Sequence, residues 1–397
     1  MIHQLGNGLC LRLGEPVVVS MAPADENRWG YHQFVNLSEY PGGRILLRFH
    51  FGEDAASAYG APNPSFISSD NGKSWTSLRE KGLPGCGLSA RVFEDEFICL
   101  PPSIPLNVKA LGLAMPKPVG KFYCYCWNYF YRVDQCSEPV RVYLYKLDGA
   151  RWTSQTRQWN TENISFEPRS ALVWTRAEGS ESDLIPRTYF EYAPLRVGKE
   201  LIYADYRSYY LNDDGSVPSN WGVTCMVSRD NGSSFGRRAT VATDSAGNDA
   251  LTEPMLAQNV ESEMVCVIRR TDHNQKPMLI TFSQDRGKTW EKPAPLHRFG
   301  VRPNILRLDC GIMVLSFGRP GVYLSFSLNG TGREWTEPLC VLPGDPDKLY
   351  EHTDGYTSLM RLSRNEALLA YTDFEYADKT GNKHKTILVR KLTVEGK

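Results

Sequence analysis

The sequence lacks the features that would place it in several common classes of protein. Its ten cysteines never form a C-x-x-C pair, which argues against the usual kind of zinc site. Lys plus Arg and Asp plus Glu number 45 each, so no basic excess indicates a nucleic-acid partner. Residues 1–6 lack the regions of a secretion signal, and no apolar run is long enough to span a membrane. We therefore expect a cytoplasmic protein with no nucleic-acid or membrane partner and no metal or cofactor.

A sustained helical period is also missing, and strand signals take its place. β-branched and aromatic residues alternate along most of the chain, and Gly, Pro, Asn and Asp separate the runs. The proline-rich segment that begins at Pro101 is too irregular for a strand, so we expect a loop insertion over about residues 101–120. The pattern predicts an all-β protein that forms a single domain over residues 1–397.

What the sequence does contain is a repeated turn. The pattern S-x-D-x-G-x-x-W occurs at residues 68–75 and 283–290, with Phe in the last place at 228–235, and in a longer, looser form at 327–335. An Asp in such a turn bonds its own backbone two residues on, and Gly supplies the positive φ. Recurrence after alternating apolar runs predicts four-stranded meanders with this turn between the third and fourth strands, which is the blade of a β-propeller.

Six such blades fit into the chain, starting near residues 34, 88, 187, 253, 302 and 355. The last blade is one strand short, and the run Leu9–Ser20 can supply the missing outer strand. Closure of the ring by the two termini would remove the open sheet edges that promote aggregation. In the second blade we expect Val140–Leu147 to be a strand and Asp148–Trp152 to be a degenerate copy of the turn.

Within a meander, the start of the first strand and the end of the second lie at the same edge of the sheet. Polar residues collect at these positions, away from the repeated turns. Arg side chains suit bidentate capture of a carboxylate, and a Tyr beside carboxylates suits nucleophilic chemistry. Ion pairs between blades are the alternative interpretation. The residues concerned are His32, Gln33, His50, Glu53, Asp54, Arg187, Asp205, Arg207, Glu253, Arg269, Arg270, Arg302, Arg319, Tyr356 and Asp373.

These repeats, together with the segments Glu253–Met255, Arg302–Asn304 and Gly355–Leu359, resemble the sialidase (neuraminidase) superfamily of six-bladed propellers with Asp-box (BNR) repeats. The resemblance implies an exo-acting glycoside hydrolase that removes a terminal acidic sugar such as sialic acid. It also implies Tyr356 as the nucleophile, Glu253 as its partner and Asp54, next to Glu53, as the acid/base. Arg269 and Arg302 would be two of three arginines that bind the substrate carboxylate.

One departure from the family concerns the first of these arginines. The family places it at the start of the first inner strand, where this chain has His32 or Gln33. The substrate is then a sialic acid held differently, a uronic acid or a neutral sugar. The remaining candidates for substrate binding are Arg187, Arg319, His50, Asp205 and Arg207.

Two other interpretations remain open. One is a lyase of acidic polysaccharides that uses His32 or His50 as its base. The other is a carbohydrate-binding propeller without catalysis. In each case the expected partner is a carbohydrate, and the sequence leaves the oligomeric state open, a homo-oligomer included.

Overall fold

The computed structural model describes residues 2–55, 58, 60–78, 87–101, 104–124, 126–167, 172–176, 184–185, 191–207, 209–244, 246, 249–270 and 276–396. In these residues the chain consists almost entirely of β-strands, with one short α-helix and a 3₁₀ turn at Val133–Gln135. The all-β expectation is therefore confirmed. No helix of the described ranges is long and apolar enough to cross a membrane.

Three short strands precede the first sheet, namely β1 (Ile2–Gly6), β2 (Leu9–Leu13) and β3 (Val17–Met21). The first sheet contains four antiparallel strands paired in chain order: β4 (Tyr31–Tyr40), β5 (Arg44–Phe51), β6 (Ser65–Ser68) and β7 (Thr76–Ser77). Its core side is supplied by alternate apolar residues, among them Val35, Leu37, Leu47 and Phe49, which are buried.

The second sheet begins with β8 (Leu88–Phe93) and β9 (Glu96–Leu100) and is then interrupted by an insertion. The insertion contains β10 (Leu106–Asn107), β11 (Gly120–Cys124), β12 (Cys126–Arg132) and the helix α1 (Glu138–Tyr145). The insertion therefore extends well beyond residue 120, as far as Lys146, where the next strand of the second sheet begins. The chain then returns to the second sheet with β13 (Lys146–Thr153) and β14 (Trp159–Phe166).

The structure corrects two expectations in this region. Most of the segment Val140–Leu147 is the helix α1, because Pro139 lies in its first turn and Val140 and Leu144, four residues apart, bury one helical face. Residues 148–152 are not a turn, because they lie in the middle of β13. This strand pairs with β9 on one side and β14 on the other.

Two short strands that complete the insertion, β15 (Leu172–Arg176) and β16 (Leu184–Ile185), pair with β12 and β10. The third four-stranded unit then follows, and a short parallel pairing of residues 165–166 with 234–235 joins it to the second, so that the two form one eight-stranded sheet. The strands of the third unit are β17 (Leu195–Val197), β18 (Glu200–Tyr206), β19 (Val223–Ser228) and β20 (Ser234–Ala242).

The fourth and fifth sheets are regular four-stranded meanders. Their strands are β21 (Leu251–Gln258), β22 (Met264–Arg270), β23 (Met278–Ser283) and β24 (Ala294–Leu296), then β25 (Val301–Arg307), β26 (Met313–Gly318), β27 (Val322–Ser327) and β28 (Leu339–Leu342).

The last sheet combines both ends of the chain. Its own strands are β29 (Thr357–Ser363), β30 (Glu366–Ala377) and β31 (Lys383–Gly396). The N-terminal strand β2 pairs with β31 from Leu9 to Leu13, and β3 pairs with a different part of the same strand. The expected addition of the N-terminal run to the C-terminal meander is thus observed.

Separate hydrophobic clusters join each four-stranded unit to the next one along the chain. A further cluster joins the first sheet to the last, where Leu47 and Phe49 pack with Leu368 and Val389. Burial of one such side chain contributes roughly 1.5–3 kcal/mol, so these contacts hold neighbouring sheets face to face. The described sheets therefore pack in chain order, and the first also packs against the last.

The repeated turns connect the third and fourth strands of four units. In the first copy, Ser68 Oγ donates to Asp70 Oδ1 (2.8 Å) and accepts from the Gly72 N–H (2.8 Å), and Trp75 Nε1 donates to the Gly72 carbonyl (3.2 Å). The copies at 228–235 and 283–290 repeat the Ser–Asp–Gly bonds. We call this side of the sheets the turn edge. The opposite side, where first strands begin and second strands end, is the mouth edge.

Candidate active site

Three first strands begin with the same irregularity at the mouth edge. In each, two residues of the first strand lie opposite one residue of the second, and the pairs are 34–35, 253–254 and 302–303. The first residue of each pair has a positive φ, 58° at Phe34, 47° at Glu253 and 42° at Arg302. A bulge of this kind redirects a side chain and is common beside active sites. Phe34, Glu253 and Arg302 therefore occupy equivalent positions in three different sheets.

Tyr356, Glu253 and Arg269 form a compact group at this edge. The Tyr356 hydroxyl donates a hydrogen bond to Glu253 Oε1. Arg269 Nη1 donates to the same carboxylate oxygen (2.7 Å) and to the Tyr356 hydroxyl (3.3 Å). Glu253 and Arg269 are buried, whereas Tyr356 is partly accessible. The hydroxyl of an accessible tyrosine thus lies between a buried base and a buried cation.

The ionisation of this group follows from its surroundings. Burial alone would raise the pKa of Glu253, but the charge of Arg269 and the hydrogen bond from Tyr356 outweigh it and hold that pKa below its usual range. Burial raises the pKa of Tyr356 well above its usual range, and the charge of Glu253 adds to the effect. The resting pair is therefore a neutral tyrosine that donates to a carboxylate.

Arg302 supports Glu253 from behind. Its backbone N–H donates to Glu253 Oε2 (2.8 Å), and its Nη2 donates to Asn36 Oδ1 (2.8 Å) and to the Glu191 carbonyl (3.0 Å). Nη1 lies 3.6 Å from Glu191 Oε2, and the Arg302 side chain is 3% exposed. The guanidinium thus bonds protein groups, and its binding of the substrate carboxylate, which the resemblance implied, stays a prediction.

Glu191 is a second carboxylate of the site, and its side chain is 12% exposed. Its Oε1 accepts from the Tyr206 hydroxyl (2.8 Å), which in turn accepts from Arg207 Nη2 (2.7 Å). Burial raises the pKa of Glu191, and the charge of Arg302 only partly offsets that effect. The charge of Asp54 adds to this rise.

Asp54 follows β5 in an exposed loop at the mouth edge. Its Oδ2 accepts a hydrogen bond from Trp29 Nε1 (3.1 Å). The loop lies directly against Gly30, which has φ +90°, and a Cβ there would be 2.2 Å from the Gly52 carbonyl oxygen. The position of the Asp54 loop therefore depends on a residue without a side chain.

Asp354 connects β4, the first strand of the first sheet, to Tyr356. Its Oδ2 accepts from the Phe34 N–H (2.7 Å) and its Oδ1 from the Tyr356 N–H (2.9 Å). Arg319 Nη2 donates to the Asp354 carbonyl (2.7 Å). Burial raises the pKa of Asp354 to about 6, although the two N–H donors favour its charged form. This carboxylate sets the distance between Phe34 and Tyr356.

Aromatic rings surround this part of the site, and we call Trp29, Phe34 and Tyr350 the aromatic wall. The Phe34 ring lies 4.7 Å from the Tyr356 ring and 5.8 Å from the Trp29 ring, centroid to centroid. Trp29 and Tyr350 meet edge to face at 5.3 Å. The Arg319 guanidinium lies 4.7 Å from the Tyr350 ring and 5.6 Å from the Trp29 ring.

The two residues expected at the missing arginine position, His32 and Gln33, are buried elsewhere. His32 Nε2 bonds with Ser20 Oγ (3.0 Å), its ring packs on Phe49 at 4.7 Å, and burial lowers its pKa to about 4. Gln33 is fully buried and accepts from the Gly30 N–H. The bulge makes Phe34, and not these residues, the equivalent of Glu253 and Arg302.

The other predicted residues lie at varying distances from Tyr356. His50 packs its ring 5.7 Å from Phe34, and its Nε2 contacts the Glu53 carbonyl (3.1 Å). Arg207 reaches the site through Tyr206, and Asp205 is buried in β18 opposite Thr224. Arg187 lies outside the described residues.

Sequence reasoning did not find Glu191, Asp354 in its bridging role, or the aromatic wall. The loop residue Glu191 had no motif to mark it. Asp354 stands two residues before Tyr356, which was the only available signal. No group of three or more His, Cys, Asp or Glu suited to a metal occurs within the described part of the chain.

No protein-family model matches this sequence, and no curated protein matches it. Solved structures do resemble its fold. A protein of unknown function from Dyadobacter fermentans has a TM-score of 0.63 at 16% identity, covering 98% of this chain and 100% of that one.

Two glycosidases are also similar in structure. The α-L-arabinanase of Penicillium chrysogenum, solved with arabinobiose, has a TM-score of 0.55 at 15% identity and covers 95% of this chain and 98% of that one. The Hadza microbial sialidase Hz136 has a TM-score of 0.52 at 16% identity, over 92% of this chain and 66% of that one. At these identities the likeness concerns the fold alone.

Proposed function

We propose that this protein is a sialidase-like exo-acting glycoside hydrolase that removes a terminal acidic sugar, sialic acid or a related one, from glycoconjugates. The observation that carries the proposal is the Tyr356 hydroxyl bonded to buried Glu253, with Arg269 donating to both. The similarity to sialidase and arabinanase folds supports it. We further propose that the sheets close into a six-bladed ring, because β2 pairs with β31 and a hydrophobic cluster joins the first and last sheets.

In the proposed reaction, Tyr356 Oη attacks the anomeric carbon as its proton moves to Glu253. Asp54 protonates the departing oxygen. Asp54 then removes a proton from a water molecule, which attacks the anomeric carbon and releases the sugar, and Glu253 returns the proton to Tyr356. A tyrosine avoids the repulsion that a carboxylate nucleophile would meet at an anionic sugar, and sialidases are a known exception to the two-carboxylate scheme.

For the substrate carboxylate we propose Arg269 and Arg319. The Arg302 guanidinium already bonds Asn36 and Glu191, so we assign it a supporting role. Arg319 is 7% exposed, its Nε has no hydrogen-bond partner among the residues described and, unlike Arg302, it forms no ion pair with them. A buried guanidinium with an unused donor is suited to a carboxylate from a ligand.

A second candidate function is hydrolysis of a neutral sugar. Phe34 is found at the bulge position where the resemblance predicts an arginine, and an arabinanase is among the similar folds.

The test is turnover of fluorogenic glycosides of sialic acid, glucuronic acid and arabinose by the wild type and by Tyr356→Phe. We expect the sialoside to be cleaved, and Tyr356→Phe to lower kcat by at least about 10³-fold with an unchanged Tm, because the nucleophile is lost. Normal turnover by the variant would contradict the assignment of Tyr356.

The other outcomes separate the alternatives. Cleavage of the arabinoside alone would favour the neutral-sugar hydrolase. An unsaturated, ultraviolet-absorbing product from a uronate polymer would favour a lyase. Binding of a sugar without turnover would favour a carbohydrate-binding propeller.

A further inference from the structure

We propose that Phe34 contacts the sugar and determines substrate specificity, with the aromatic wall presenting an apolar surface where a third arginine would be expected. The substrate class is then a terminal acidic sugar whose carboxylate is held by two arginines and whose C–H face lies on Phe34. This inference rests on the proposed function and specifies the substrate that the site accepts.

The position of Phe34 is the first argument. It occupies the bulge position that carries Glu253 and Arg302 in two other sheets, and all three residues have a positive φ. Glu253 contacts Tyr356 directly, and the Arg302 guanidinium lies 5.0 Å from the Tyr356 ring. The ring of the third member of this set, Phe34, lies 4.7 Å from the same tyrosine ring, with the two ring planes tilted by 45°. Its side chain therefore points to the same centre.

The second argument is that Phe34 is held in place without being buried. Asp354 accepts from the backbone N–H groups of both Phe34 and Tyr356, at 2.7 and 2.9 Å. The neighbouring core positions of β4 are filled by Val35 and Leu37, which are buried, whereas Phe34 keeps part of its surface accessible. A phenylalanine needed only for the core would be enclosed, so its ring is available to a ligand.

The third argument is the arrangement of charge around the wall. Arg319 lies against Trp29 and Tyr350, and its Nε has no partner within the described part of the chain. A ligand anion that binds Arg319 brings the rest of the ligand against the aromatic rings. Sugars have apolar C–H faces that pack on aromatic rings, while their polar groups point sideways. An acidic sugar can therefore use Arg319 and Phe34 together.

Substitutions at position 34 test the proposal, with an exposed phenylalanine as the matched control. Phe93 is 54% exposed at the end of β8, at the turn edge, so Phe93→Arg and Phe93→Leu should leave KM unchanged. Phe34→Leu should raise KM for the sialoside and the arabinoside by about three- to tenfold, because the aromatic contact is lost. Phe34→Arg should lower KM for the sialoside by about tenfold and raise it for the arabinoside, because a charged donor replaces the apolar face.

Direct binding keeps this inference separate from the proposed function. The dissociation constants of free sialic acid and of arabinobiose are measured by calorimetry for folded wild type and variants, with Tm as the check on folding. We expect the dissociation constants to change in the same direction and by the same factors as given for KM. The gain in affinity for sialic acid that Phe34→Arg brings should shrink with added salt. Equal constants in the wild type and both Phe34 variants, or no binding of either sugar to the wild type, would overturn the proposal. Binding shifts without any turnover would overturn the proposed function alone.

Discussion

The two edges of the sheets use the same residue types in opposite ways. At the turn edge, Asp70 bonds Ser68 and Ser74, its neighbours in the chain, and lies in contact with water. At the mouth edge, Asp354 is fully buried and bonds the backbone of Phe34, which is 320 residues away. The pKa values reflect the contrast, since local hydrogen bonds lower that of Asp70 to about 2 and burial raises that of Asp354 to about 6.

This difference separates residues that stabilise the fold, at the turn edge, from residues of the proposed reaction, at the mouth edge. The Ser–Asp–Gly bonds within each turn are local, so the turn can be copied from sheet to sheet. Other groups of a turn bond a neighbouring four-stranded unit, as where Arg151 Nη2 donates to the Asn231 carbonyl (3.1 Å). The mouth edge brings together different residues from several sheets, and the proposed reaction needs such a set, because it requires a base, a nucleophile and cations at one point. Its groups are placed by distant parts of the chain and carry perturbed pKa values, as functional groups often do.

The largest effect should come from Gly30→Ala at the mouth edge. The new Cβ would lie 2.2 Å from the Gly52 oxygen and 2.7 Å from the Asp54 nitrogen, at φ +90°. We expect a loss of roughly 4 kcal/mol in stability from overpacking and backbone strain. Displacement of Asp54 by about 1 Å should also lower kcat by about 10²-fold. Urea unfolding and steady-state kinetics measure both quantities.

Gly43→Ala is the matched control for that variant. Gly43 also has a positive φ, +69°, but lies in the β4–β5 turn at the opposite edge, and a Cβ there would meet no atom within 4 Å. It should cost only about 1–2 kcal/mol of backbone strain and leave kcat unchanged. Equal effects of the two variants on kcat would show that the Asp54 loop is not part of the site.

Asp354→Asn should alter the pH dependence of stability. The folded protein holds the Asp354 proton more tightly than the unfolded chain, since burial raises the pKa from the usual 3.8 to about 6. The stabilisation from this group is therefore present below about pH 4 and is lost as the pH rises through about 6. Asn cannot ionise, so the variant does not lose this stabilisation. Its free energy of unfolding relative to that of the wild type should therefore rise by on the order of 3 kcal/mol between pH 4 and 7.5.

The measurement is the difference in unfolding free energy between the variant and the wild type across this pH range. At pH 4 the variant should be the less stable by about 1 kcal/mol, because one backbone N–H loses its acceptor. A difference that does not change with pH would mean that Asp354 does not titrate in this range.

The smallest effects should come from Ser283→Ala and Ser327→Ala at the turn edge. Ser283 Oγ donates to Asp285 (2.9 Å) and accepts from the Gly287 N–H (2.8 Å). Loss of these bonds should cost about 1 kcal/mol and leave kcat unchanged. Ser327→Ala in the looser copy should cost less, because its acceptor is the neutral Asn329 (3.0 Å). A fall in kcat without a fall in Tm would contradict the separation of the two edges.

Much of the fold could be predicted from local sequence. The repeated turns fix where the third and fourth strands meet, and strand alternation identified the meanders around them. The helix α1 was missed because Val140, Val142 and Leu144 alternate like a strand while Val140 and Leu144 also match a helical face. The insertion was placed correctly at its start but extends much further than its irregular, proline-rich part.

The sequence by itself determined the repeated turns and the all-β character, because those depend on bonds between residues a few positions apart. It also named Tyr356, Glu253 and Arg269, because strand starts and ends meet at one edge of a meander. Only the tertiary structure decided that Phe34, and not His32 or Gln33, faces Tyr356, since a two-residue bulge shifts the register. It likewise decided that Arg302 lies 3.6 Å from Glu191 while Arg319 forms no ion pair with the residues described, because burial and long-range partners, which no local pattern encodes, set the surroundings of each charge.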